Sequence, residues 1–131
     1  MRASVFLLCL LAGACAWGAP APVPLLPNWS GPAVHARHLG DRGLEVELVA
    51  PTAGHSFELR SVETSANRVD LHFAHRTPGK AFVAQVVTPL RVTVDATRLG
   101  EARAVFVWIN TVDGTESPPR PDQLALALAR P

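Results

Sequence analysis

The stretch that decides the fold is "SFELRSVETSANRVDLHFAH", residues 56–75. Its second half alternates Val69, Leu71 and Phe73 with Asp70, His72 and Ala74. A period of two is the mark of a strand with one face buried and the other wet. The first half places Phe57 and Leu59 on one face and Glu58 and Arg60 on the other, then slips phase at Val62. That slip predicts a bulge or the end of the strand. Between the halves, "TSAN" (64–67) supplies the small polar residues on which a chain reverses.

The same grammar extends in both directions. "GLEVELVA" (43–50) alternates Leu44, Val46 and Leu48 with Glu45 and Glu47. "AFVAQVV" (81–87), "LRVTVDA" (90–96) and "AVFVWIN" (104–110) are rich in Val and aromatics and too short for helices. "AVFVWIN" is apolar on both faces, which predicts a central strand. "TPGK" (77–80), "TRLG" (97–100) and "VDGT" (112–115) are turn sequences, and in "PDQLALALARP" Leu124, Leu126 and Leu128 alternate with Ala as in a closing strand. About seven short strands, spaced near ten residues apart, predict an all-β domain over residues 33–131, a small antiparallel β-sandwich of immunoglobulin-like type.

The N-terminus reads as a targeting signal. Arg2, an apolar run over Val5–Leu11 and small residues Ala12, Gly13 and Ala14 form the three-part layout of a secretory signal. The run falls short of the about 20 apolar residues that a membrane-spanning helix needs. Two cleavage patterns fit. Small residues at 16 and 18 suit ordinary cleavage, giving a signal peptide over 1–18, whereas "LAGAC" (11–15) resembles a bacterial lipobox, giving a signal over 1–14 and Cys15 as the lipidated first residue. Ala12 stands where lipoboxes favour Leu. Either way Cys9 leaves, Cys15 is lost or acylated, and the mature domain holds itself together without a disulfide.

Residues 19–32 form a Pro-rich linker, with Pro20, Pro22, Pro24, Pro27 and Pro32 interrupting any helix or ladder. Trp29 and the Leu25–Leu26 pair are costly to leave wet and are the residues that would clamp this tether to the domain. With Arg2 set aside, basic and acidic residues balance at 11 each. Balanced charge without a basic run argues against nucleic acid as a partner.

Chemistry is sparsely signalled. On strands, His72 and His75 point to opposite faces, as do His35 and His38, so only Asp70 and His72 share a face for metal. A Ser-His-Asp site would have to draw on Ser56, Ser61, Ser65, His55 and Asp70 with no G-x-S-x-G motif behind it. Glu45, Glu47 and Glu58 read as wet-face carboxylates, and no cofactor motif is present. The aromatics remain: Trp108 and Phe106 on the second face of their strand, with Trp29, form a possible binding surface for a sugar, peptide or protein.

The segments "VELVAPTAGHSFELRSVE" (46–63) and "TPGKAFVAQVVTPLRVTV" (77–94) together resemble the C-terminal domain of the PrcB family, exported bacterial accessory proteins of cell-surface protease complexes, often lipoproteins. Pro51, Thr52, Gly54, Pro78, Gly79, Gln85, Thr88 and Pro89 match the family outline over about residues 45–95, while Ala53 and His55 replace its usual Gly and aromatic. The resemblance implies a small β domain that acts by protein contact, with no catalytic residues. The expected function is therefore a non-enzymatic exported module that binds or stabilises a partner protein in the bacterial envelope, touching the membrane only through a lipid on Cys15, with location at the outer membrane or cell surface, or else periplasmic or secreted. Two alternatives stand beside it: a carbohydrate- or ligand-binding domain, which requires an exposed patch joining Trp108 and Trp29, and a hydrolase, which requires His55, Asp70 and a Ser in one hollow.

Overall fold

The computed structural model describes residues 26–65, 67–79, 83–114 and 121–130. Seven strands follow one another: β1 (Val34–His38), β2 (Leu44–Ala50), β3 (Ser56–Ser65), β4 (Arg68–Thr77), β5 (Thr88–Val94), β6 (Ala104–Asp113) and β7 (Gln123–Ala129). A 3-10 turn at Gly40–Arg42 and a single helical turn, α1 (Ala96–Leu99), interrupt them. The strands form two sheets, β1-β2-β5 and β3-β4-β6-β7, whose inner faces make a common core. The protein is an all-β sandwich.

Alternation in the sequence becomes alternation in burial. Leu44, Val46, Leu48 and Ala50 of β2 face Val69, Leu71 and Phe73 of β4 and Val105, Val107 and Ile109 of β6 across the interior, every one of them essentially inaccessible to water. Phe57 of β3 lies parallel to Phe73, with ring centroids 4.7 Å apart. The phase slip at Val62 is a bulge between Leu59 and Ser61, which leaves Arg60 unpaired and lets Val62 turn inward again opposite Leu71. Gly43 opens β2 at φ 113°, where a Cβ would lie 2.0 Å from the Val94 carbonyl oxygen. Only glycine lets β2 start this close to the end of β5.

Two expectations are corrected. Pairing is not antiparallel throughout, because β4 and β6 run parallel over ten paired positions from Arg68↔Ala104 to Thr77↔Asp113. After β4 the chain crosses to the other sheet as β5, and α1 returns it to the end where β4 began; there the Arg103 and Ala104 amides donate to the Asn67 carbonyl. The strand expected at 81–87 is also absent from the described residues 83–87, which form no ladder. β5 starts at Thr88 instead and includes Pro89, and β1 supplies the seventh strand.

The closing strand is present but its leucines do not share one row. A bulge between Val107 and Trp108 pairs Leu124 with Trp108, while Leu126 and Leu128 stay opposite Val107 and Val105. Part of the linker docks there. The Asn28 and Trp29 amides donate to the Leu124 carbonyl, Asn28 Oδ1 accepts from the Leu124 amide at 2.7 Å, and Trp29 packs on the core. Among the described residues no helix is long and apolar enough to cross a membrane.

Candidate functional site

The corner between β2 and β3, residues 51–55, is where structure departs most from a plain turn. Pro51 breaks the ladder of β2, and Gly54, at φ 85°, carries the chain close against Pro78 and Val83, 3.1 Å from where a Cβ would stand. The Ala53 amide donates to the Ala84 carbonyl at 3.0 Å. These contacts bring the 51–55 corner against Pro78, Val83 and Ala84. Val86 and Val87 stand out from the same segment, 58% and 64% exposed.

That geometry swings His55 onto His75. His55 Nδ1 and His75 Nε2 are 2.9 Å apart, and the ring planes differ by only 5° at a centroid separation of 5.2 Å. The nitrogen contact makes this an in-plane hydrogen bond; a face-to-face stack would leave both nitrogens pointing past each other. The chain of contacts continues at both ends, with Thr52 Oγ1 3.1 Å from His55 Nε2 and Thr111 Oγ1 3.3 Å from His75 Nδ1. His75 is buried, and Trp29 meets it edge-on at 6.2 Å. Burial lowers the pKa of His55.

The outer face of the four-stranded sheet holds the other polar cluster. Arg68 forms a fork on both oxygens of Asp70 and lays its guanidinium 4.1 Å over the Phe106 ring. Trp108 Nε1 donates to Asp70 at 2.9 Å. Burial alone pushes the Asp70 carboxyl up, but the hydrogen bonds from Arg68 and Trp108 and the charges of Arg68 and His72 outweigh it and hold it below its ordinary value. Phe106 and Trp108 are half-buried, so their rings are neither core nor a free platform.

The structure separates the residues that the sequence offered as joint sites. Trp108 lies on the outer face beside His72, whereas Trp29 lies against inward-facing His75, so the two form no common patch. His55 and Asp70 are likewise on opposite sides of the sheet. Glu45 and Glu47 pair with Arg37 and Arg91 on the other sheet, and Glu58 pairs with Arg60. Cys15 lies outside the described residues. No three His, Cys, Asp or Glu side chains among the described residues converge as metal ligands.

One constellation escaped the sequence reading. His72 Nδ1 is 3.2 Å from Asp122 Oδ2, and Ser61 sits directly opposite His72 in the β3–β4 ladder. His72 Nε2 is buried and makes no hydrogen bond among the described residues, with Glu63 Oε2 at 3.6 Å. A carboxylate in that position opposes the negative charge that builds on an acyl-transfer intermediate. Asp122 is 50 residues from His72, beyond the reach of any local spacing rule.

No protein-family model matches the chain, and no curated protein or solved structure matches it.

Proposed function

We propose that this chain is a non-enzymatic, exported β domain that binds or stabilises a partner protein in the bacterial cell envelope, through the end of the sandwich built by residues 51–55, 78–79 and 83–87. The observation that carries the reading is the gathering of Pro51, Thr52, Gly54, Pro78 and Gln85 around the Ala53–Ala84 hydrogen bond, beside exposed Val86 and Val87. Exposed aliphatic side chains on an ordered segment lose water on docking and favour contact without needing chemistry. The PrcB resemblance supports the same mode of action, and the lipobox-like "LAGAC" supports a tether to a membrane surface through Cys15, with a cleaved soluble form as the alternative.

Crosslinking in the native envelope followed by capture of the tagged chain tests this reading. Wild type is expected to recover a discrete protein, and Val86→Asp with Val87→Asp to lose at least tenfold of it. Recovery undiminished by both substitutions sinks the docking end, and labelling of Ser61 by a serine-directed fluorophosphonate sinks the non-enzymatic reading. A Cys15→Ala chain that fractionates with membranes as wild type does removes the lipid anchor.

A second reading, a ligand site on the outer face, is favoured by the half-buried Phe106 and Trp108 and by the groove of about 520 Å³ beside His72 on that face. Glycan-array or weak-affinity chromatography with Trp108→Ala as control separates the two.

A further inference from the structure

We propose that Thr52, His55, His75 and Thr111 form an acid-sensitive latch that holds the 51–55 corner onto the four-stranded sheet and has room for one added proton but not two. The four side chains come from three places in the chain: the corner, β4 and β6. With both rings neutral, a single hydrogen lies between His55 Nδ1 and His75 Nε2, and the threonine hydroxyls donate or accept to suit either direction of the relay. One added proton leaves that contact intact. The protonated ring donates across the 2.9 Å gap, the neutral ring accepts, and each outer nitrogen donates to its threonine. A second proton puts N–H against N–H in the plane of two parallel rings, and the corner must swing away.

The surroundings sharpen this limit. Asp113 lines the small hollow beside His75 together with Trp29, Thr77 and Gln123, and accepts from the Thr77 hydroxyl. From β3 the facing residue is Phe57, from the crossing segment Pro78 and Val83 lie against the corner, and the neighbouring Arg76 belongs to the outer face. The apolar walls favour the uncharged pair, and burial disfavours charge at His55. In the opened corner both rings are hydrated and titrate near the ordinary histidine value of about 6.5. The open form thus binds at least one proton more than the closed form in acid, and the open population rises by about tenfold or more for each pH unit.

The Ala53 amide reports the latch, because its bond to Ala84 closes the corner. This readout is separate from partner capture, so the latch and the docking reading fail independently. Amide hydrogen exchange, corrected for the intrinsic pH dependence, is followed for Ala53 and for the interior strand residue Ile109 between pH 8 and 4.5. Protection of Ala53 is expected to hold to about pH 6 and then fall by about tenfold or more per unit while Ile109 stays protected, and His55→Gln is expected to abolish the slope. The proposal is overturned by protection of Ala53 that is flat to pH 4.5, by an equal slope in His55→Gln, or by loss of Ala53 and Ile109 protection together. Two-bond proton–nitrogen spectra of the wild type give a test that needs no variant. Both rings as imidazolium while Ala53 remains protected would also overturn it.

Discussion

At the scale of single residues, the polar side chains of this protein are mostly occupied with one another. Asp70 is the clearest case: a partly buried carboxylate, its side chain 15% exposed, that takes three hydrogen bonds from Arg68 and one from Trp108. Its pKa is lower folded than unfolded, so its stabilising contribution is complete above the unfolded value of 3.8 and disappears as pH falls through the lower folded value. Asp70→Asn is expected to cost about 1–3 kcal/mol at pH 7. In urea titrations the gap between the two proteins should close as pH drops below about 4, and a gap that stays constant to pH 2 would contradict the assignment. The shared face of Asp70 and His72 was legible from alternation, but the partners of Asp70 were not. Trp108 is 38 residues away, and only the β4–β6 register brings it alongside.

At the scale of elements, edge control stands out. Among the described residues β5 pairs only with β2, and the bond from the Val49 amide to the Ala33 carbonyl shows that Val49 spends its backbone groups on the β1 side. Pro89, opposite Val49, therefore turns its nitrogen to the open edge, where an N–H would invite another strand. The bulge at Arg60 does similar work on the edge of the other sheet. Pro89→Val should give concentration-dependent dimers or larger species in light scattering, with at most about 1 kcal/mol lost from the monomer. A variant that stays monomeric at millimolar concentration would show that the edge is protected by something else. Sequence pattern located β2, β3, β4 and β7 by their alternation and β5 and β6 by their Val and aromatic content. It misread 81–87, which holds three valines and one phenylalanine but whose Val86 and Val87 point to solvent, and it passed over β1, whose Val34 and Ala36 are a faint apolar row.

At the scale of the whole molecule, the linker end is part of the fold. Trp29 donates from Nε1 to the Pro32 carbonyl at 2.7 Å, packs on the core and abuts His75. Trp29→Ala is expected to remove about 1–3 kcal/mol and to open residues 26–32 to limited proteolysis ahead of global unfolding. Cleavage there at the wild-type rate would argue that the clamp rests on Asn28 alone.

Fold class, the buried face of each alternating strand and the irregularity after Leu59 are legible in local pattern, because a period of two is a local property that burial on one face imposes directly. The parallel run of β4 and β6, the placing of Trp29 and Trp108 on opposite sides of a sheet and the meeting of His55 with His75 emerge once the strands are assembled. Those outcomes depend on which strands become neighbours after the chain crosses between sheets, a choice made by closing a shared core rather than by any short stretch of residues.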